Sequence, residues 1–330
     1  MKFKILTFSM LFILLNQCQT DVPEKTLIPK QANEFIWIYK PAGDHFFGPD
    51  TKHLKEGQWY NDWVPNDHTF VKGDDGKWHI FGITHPRVDS DPIKEGIHEG
   101  EYASFHAVSS ANSFKGTLKK HHYADLPKVL PPKERPGEVL ANHAPYIIKK
   151  DGLYQMIYGH SPIRLAVSKD LFKWQPKGEL FSDSDGTRDP NVLFHNDIYY
   201  VVYCSIKSVR LVKSKDLVHW TKPKVILTTR KFDPESPSLI YFNNSFYLFV
   251  CSWDGVWDGK DIQGAYQHKT YVYHSKDMMD FGVDDEKEIT TLNSHAPEIF
   301  QDEDGKWYIS SVEWPNRGVS IDKLNWEAQK

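Results

Sequence analysis

Hydrophobic and polar positions along the chain fall into a pattern that repeats. Five segments share it: NDHTFVKGDDGKWHIFGIT from residue 66, HAPYIIKKDGLYQMIYGHS from 143, RDPNVLFHNDIYYVVYCS from 188, ESPSLIYFNNSFYLFVCS from 235 and HAPEIFQDEDGKWYISSVE from 295. Each opens with a polar group, usually followed by proline. An apolar strand comes next, then a short polar turn, then an aromatic-rich strand. The turns are Asp75-Gly76, Asp151-Gly152, His195-Asn196-Asp197, Asn243-Asn244 and Asp304-Gly305. Gly, Asn and Asp tolerate positive φ, so these turns predict hairpins. A second element follows: LAVSKDLFKW at 165, LVKSKDLVHW at 211 and YVYHSKDMMDF at 271, with weaker copies FHAVSSANSF at 105 and GVSIDKLNW at 318. It predicts a third strand, a Ser-Lys-Asp turn and a fourth strand closed by an aromatic.

Five such units, with no long stretch of helical period, predict an all-β fold: a five-bladed β-propeller of four-stranded antiparallel blades over residues 35–330. The alternative is a β-sandwich with coincidental hairpins. The apolar run Phe35 to Tyr39 is expected to complete the last blade and close the ring, leaving no open sheet edge. Residues 18–34 read as a polar tether. The extra length of the first unit falls between Thr84 and Ser104 and in a Lys/Pro-rich stretch from Lys119 to Gly137.

Composition narrows the function. Of 330 residues, 14% are aromatic, which argues against disorder and supplies filler between twisted sheets. Lys and Arg total 40 against 44 Asp and Glu, with no basic block, so nucleic acid is not an expected partner. The N-terminus carries Lys2 and Lys4 ahead of an apolar run, Ile5 to Leu15. That run is too short to span a bilayer but suits an export signal over residues 1–17. Leu15-Asn16-Gln17-Cys18 resembles a bacterial lipobox, with Gln17 where a small residue is usual. It implies lipidation of Cys18, a place in the cell envelope and membrane contact only through the lipid; plain cleavage is the other reading. Cys204 and Cys251 end similar apolar runs and read as small buried strand residues, with a disulfide as the alternative.

In a propeller the first strands of all blades start at one mouth of the central channel. Asp67, His143, Asp189, Glu235 and His295 therefore converge, with Glu298 three residues beyond His295. His143, Asp189 and Glu235 are spaced at 46 residues and read as one repeat position. Three carboxylates facing one pocket raise one another's pKa, which can leave one ionised and one protonated. Glycoside hydrolysis needs such a pair. Taken singly, Asp67 and Asp189 could be turn caps, and His143 and His295 could either hydrogen-bond a carboxylate or touch substrate or an ion. Arg164 and Arg210 occupy matched third-strand positions and read as inter-blade ion pairs. Trp63, Trp253 and Trp257 lie near strand ends at the mouth, where an aromatic can stack on a sugar or simply pack the rim.

These motifs resemble the five-bladed propeller glycoside hydrolases, families 43 and 62 on one side and 32 and 68 on the other. Asn66-Asp67 followed by Phe70 resembles the position of the base or nucleophile. Arg188-Asp189-Pro190 resembles the Arg-Asp-Pro of the fructan-acting branch and the Asp that tunes the acid in family 43. Glu235-Ser236-Pro237 resembles the Glu-x-Pro acid motif. His68 replaces the proline usual after the blade-one Asp, and no sandwich domain follows the propeller, so the resemblance points to a family 43-like or an unassigned branch. The resemblance implies Asp67 as base or nucleophile, Asp189 as the residue that orients the sugar and holds up the pKa of Glu235, and Glu235 as general acid. Expected substrate contacts are His68, His143, Arg188, Trp253, His295 and Glu298. No cofactor is required; a structural calcium reached through water at His295 is the one ion the resemblance admits. The expected partner is a carbohydrate. The insertion at 85–104, with Asp89, Asp91, His98, Glu99 and Glu101, would wall the pocket and favour attack at chain ends. Two other functions share the fold: a non-catalytic glycan-binding lipoprotein, and a glycoside phosphorylase, for which Arg164, Arg188 and Arg210 are a thin phosphate site.

Overall fold

The computed structural model describes residues 25–88, 100–253 and 266–329, with short backbone stretches at 256–257 and 262–263. The export signal, Cys18, residues 89–99 of the insertion and the side chain of Trp257 lie outside the described residues. Five antiparallel sheets follow one another along the chain. Blade one holds Trp63–Lys72, Trp78–Pro86, Ala103–Ser109 and Tyr123–Val129. Blade two holds Tyr146–Lys150, Leu153–Tyr158, Ile163–Ser168 and Gln175–Phe181. Blade three holds Arg188–His195, Ile198–Ser205, Ser208–Ser214 and Lys224–Thr228. Blade four holds Asp233–Phe242, Ser245–Trp253, Tyr266–Ser275 and Glu288–Asn293. Blade five holds Ile299–Gln301, Trp307–Val312 and Val319–Ala328.

The turn chemistry explains the hairpins. Asp151-Gly152, Asn196-Asp197 and Asn243-Asn244 have both central residues at positive φ, the mirror-image turn whose twist suits paired strands. In the Ser-Lys-Asp turns, the Ser168 and Ser214 hydroxyls accept the Leu171 and Leu217 N–H groups, each at 2.9 Å. Asp170 and Asp216 cap the next two N–H groups. Local hydrogen bonds of this kind stop a strand without help from tertiary contacts.

Blade five departs from the expected plan. Val319–Ala328 is one unbroken strand, so Asp322 and Trp326 do not mark a turn and a fourth strand. The N-terminal segment supplies the fourth strand in two pieces. Ile36–Tyr39 pairs with Val319 to Ile321, as expected for ring closure. Leu27–Gln31, read above as part of a tether, pairs with Leu324 to Ala328. Between the pieces the Asp322 carboxylate accepts the N–H groups of Asn33 at 2.8 Å and Glu34 at 3.1 Å. Pro29 fits because the strand is an edge.

Each junction between blades has its own apolar cluster, and aromatics dominate several of them. Phe70 of blade one stacks on Phe300 of blade five at 4.6 Å, and Phe232 stacks on Tyr271 at 4.4 Å. Cys204 and Cys251 are buried free thiols, so the disulfide alternative falls. Arg164 lies 3.7 Å from Glu138, and Arg210 lies 2.9 Å from Asp183. Tyr158 and Tyr203 donate to the same two carboxylates. These arginines thus tie blades two and three to the connectors that precede them.

Blade one also buries a histidine pair. His79 Nδ1 meets His106 Nε2 at 2.8 Å, and the His106 ring stacks on Phe81 at 4.0 Å. Burial holds both below the ordinary histidine value, His106 at about 3. The unfolded chain takes up a proton near pH 6.5 that the folded ring refuses. The contribution to stability is therefore whole above about pH 6.5 and is lost as pH falls toward the folded value. For His106 the slope is about 1.4 kcal/mol per pH unit. Denaturant unfolding at steps from pH 7 to 4.5 should show this loss, and a His106→Gln variant should show less of it. Equal pH slopes in the two proteins would refute the assignment.

Candidate active site

The inner strands reach the channel mouth through a shared irregularity. Ala144, Asp189, Ser236 and Ala296 all have positive φ, between 38 and 55°, and each precedes a proline. Proline has no N–H to pair, and in blades three and four the ladder skips it. Arg188 pairs with Cys204 and Asn191 with Val202, while Glu235 pairs with Cys251 and Ser238 with Phe249. Blade one carries the same kind of bulge between Pro65 and His68. Gly82 opposite makes room there: a Cβ on it would lie 2.8 Å from the Asp67 carbonyl. Non-glycine residues in the left-handed region are strained, and such strain gathers where a side chain must be aimed.

This register corrects the repeat alignment. The three carboxylates do not occupy one equivalent position. Arg188 and Glu235 are equivalent, and so are Asp189 and Ser236. His143, Arg188, Glu235 and His295 form the first tier, and Ala144, Asp189, Ser236 and Ala296 the second; in blade one the register puts Pro65 in the place of Arg188 and Glu235, so Asp67 falls one residue beyond the second tier. The prolines, rather than the acids, keep the repeat in step. Of the five residues expected to converge, Asp67 and Asp189 line one pocket, with Ala144, Ser236, Ala296 and Glu298, while His143 and Glu235 reach it through Asp189 and Arg188.

Charges alternate across the mouth. Glu101 Oε2 lies 2.5 Å from His143 Nε2, and His143 Nδ1 lies 3.9 Å from Asp189 Oδ1. Asp189 Oδ2 accepts Arg188 Nη1 at 3.1 Å, and the same Nη1 donates to Glu235 Oε1 at 2.6 Å. Arg188 Nη2 is anchored on the Pro234 carbonyl at 2.9 Å. Glu235 and Asp189 therefore meet across a guanidinium instead of repelling directly, as the sequence reading had it. Burial works against charge on His143, but Glu101 and Asp189 hold its proton well above the ordinary value. Burial likewise opposes ionisation of Asp189, and Arg188 and His143 overcome it, leaving its carboxyl below the usual range. Among the described residues no cation is in contact with Asp67. Burial, then Asp189, push its carboxyl well above the usual range, against the Ser236 hydrogen bond. Asp67 and Asp189 are thus driven apart in protonation, Asp67 up and Asp189 down.

The other predicted contacts divide. His68 is buried at the pocket wall, its Nε2 2.8 Å from Ser310 Oγ, and burial pushes it down to about 3, so it is neutral. Glu298 is buried deeper on the axis, where burial holds it well above the usual range with Tyr146 as hydrogen-bond partner. His295 is 2% exposed and directs Nδ1 at the Val312 carbonyl, 3.2 Å away. Trp253 ends the second strand of blade four, half-buried. Trp63 is 2% exposed, packed between Phe47 and Lys128, and so fills the rim without facing a sugar. Among the described residues no group of three or more His, Cys, Asp or Glu is placed to hold an ion. Sequence reasoning missed Ser236, Tyr146 and the role of Glu101 as the His143 partner. Aligning the repeats on their prolines would have exposed the first two.

Residues 183–329, somewhat less than half of the chain, match the family model "Glycosyl hydrolases family 43". Several solved structures share its fold. An exo-1,5-α-L-arabinanase from a bovine ruminal metagenomic library is 19% identical, covers 80% of this chain and 93% of its own, and has a TM-score of 0.55. An α-L-arabinofuranosidase from Clostridium thermocellum ATCC 27405 is 16% identical, with 79% and 89% covered and a TM-score of 0.56. An endo-arabinanase from Bacillus licheniformis is 18% identical, with 80% and 93% covered and a TM-score of 0.54. No curated protein matches the chain.

Proposed function

We propose that this protein is a family 43 glycosidase that removes terminal pentose units, arabinofuranose or xylose, from plant-type polysaccharides or their oligomers. The observation that carries the reading is the pocket that joins Asp67, Asp189 and, through Arg188, Glu235 on the propeller axis. Asp67 serves as base or nucleophile on one face of the sugar. Glu235 protonates the glycosidic oxygen on the other. Asp189, ionised and buried, receives sugar hydroxyls and anchors Arg188. A sugar hydroxyl that competes for Arg188 frees Glu235 to deliver its proton. Attack at chain ends is part of the proposal and rests on the extra length of the first unit between Thr84 and Ser104. The pentose class rests on the arabinan- and arabinofuranoside-acting relatives. Export and a lipid on Cys18 are part of the proposal and rest on the leader alone.

The test is a panel of 4-nitrophenyl α-L-arabinofuranoside, β-D-xyloside, β-D-galactoside and β-D-fructofuranoside, with linear arabinan and arabinoxylan as polymers. Turnover of one of the first two, with monosaccharide as the only early product from polymer, is the expected result. Turnover confined to the hexosides, or early release of longer fragments, would overturn the pentose or the chain-end assignment respectively.

A further inference from the structure

The residue after the acid is as well placed as the acid itself. Ser236 is buried, sits at φ 44° and is followed by Pro237. Its hydroxyl donates to Asp67 Oδ1, across 169 residues of sequence, and its N–H donates to Asp189 Oδ2 at 3.3 Å. The dipeptide Glu235-Ser236 therefore carries the proposed acid on one residue and a hydrogen-bond donor to the proposed base on the next. The backbone shape does not require serine. Alanine takes the same strained conformation at the equivalent positions of blades two and five, Ala144 and Ala296. What serine adds is the hydroxyl, and the hydroxyl is spent on Asp67.

We infer that Ser236 is a positioning residue: its hydroxyl aims the Asp67 carboxyl and favours its ionised form, and it acts on the reaction only through Asp67. This rests on the assignment of Asp67 as base or nucleophile. The groups that face Asp67 electrostatically are Asp189 and Glu235, which oppose its ionisation, and His143, which favours it. A hydrogen bond to a carboxylate stabilises the charged form. Without the hydroxyl, the repulsive neighbours act unopposed on that side.

Ser236→Ala and Ser236→Gly separate the hydroxyl from the backbone. Both lack the donor, while Gly also relieves the left-handed strain. With whichever 4-nitrophenyl pentoside is turned over, both variants should lose about 10- to 100-fold in kcat. KM should change less than about twofold, and the acidic limb of kcat/KM should move up by roughly one pH unit. Wild-type kinetics in Ser236→Gly, or an unmoved acidic limb, would overturn the inference. A dead Asp67→Asn beside an unaffected Ser236→Ala sinks the inference alone. An active Asp67→Asn sinks the assignment of Asp67 beneath it. A substrate-independent measurement covers a failed panel: 13C-carboxyl NMR on Asp-labelled protein should show Asp67 titrating higher in Ser236→Ala than in wild type, and equal midpoints would refute the role.

Discussion

An Asp67→Asn variant is expected to lose at least about a thousandfold in kcat/KM and yet to unfold at a higher temperature than the wild type. The two effects share one cause. Burial and the Asp189 charge penalise an ionised Asp67, which is the form that a base or nucleophile needs. Its folded pKa is raised above the unfolded value of about 3.9. The contribution to stability is therefore most favourable below that value and is lost as pH rises toward the folded pKa. Asparagine keeps an oxygen for the Ser236 hydroxyl and removes the charge. Calorimetry should show a gain of a few degrees, roughly 2–4 °C per kcal/mol for a chain of this kind, larger at pH 8 than at pH 5. The wild-type acidic limb should also lie above the ordinary carboxylate range, since activity rises with pH as Asp67 loses its proton. A variant no more stable at pH 8 than at pH 5, relative to wild type, would contradict the electrostatics.

Glu235→Gln should be the other near-silent enzyme, but its defect should depend on the leaving group. The amide oxygen of Gln can still accept from Arg188 Nη1, so the 2.6 Å contact has a replacement and the fold should be kept. What disappears is the proton for the departing oxygen. On natural oligosaccharides, whose alcohol leaving groups need that proton, the loss should reach about 10³–10⁴. On 2,4-dinitrophenyl glycosides, which depart as stable phenolates, it should shrink to tens at most, and the alkaline limb of the pH profile should flatten. A uniform loss across leaving groups would show that Glu235 has another task.

Both variants touch residues that were legible in the chain, and so was the ring that holds them. Alternating strands and Asn/Asp/Gly turns are local signals, and five matched units leave few other folds. The parts that were not legible depend on partners distant in sequence. Leu27–Gln31 carries Pro29 and Lys30 and shows no alternation of its own; it becomes a strand only because Leu324 to Ala328 offers an edge. The one-residue slip between Asp189 and Glu235 was hidden because an acid stands near the start of both units. Aligning the two units on their prolines, as the bulges do, puts arginine and not aspartate in the place of Glu235. For Trp63 the sequence left sugar stacking and rim packing both open, and packing won because Phe47, from a segment that no repeat predicts, covers it.

Blade five has a consequence for how the molecule comes into being. Its outer strand lies at one end of the chain and its three inner strands at the other, so that Gln329 donates to the carbonyl of Thr26 at 2.9 Å. During synthesis the segment Ile36–Tyr39 emerges among the first residues and meets its partner among the last. Until residues 319–328 arrive, its apolar face has no place to go, and the ring remains an open arc. The closing step is the longest-range contact in the fold, so it carries the greatest loop-closure cost and comes late. The propeller therefore cannot lock before its final strand is available.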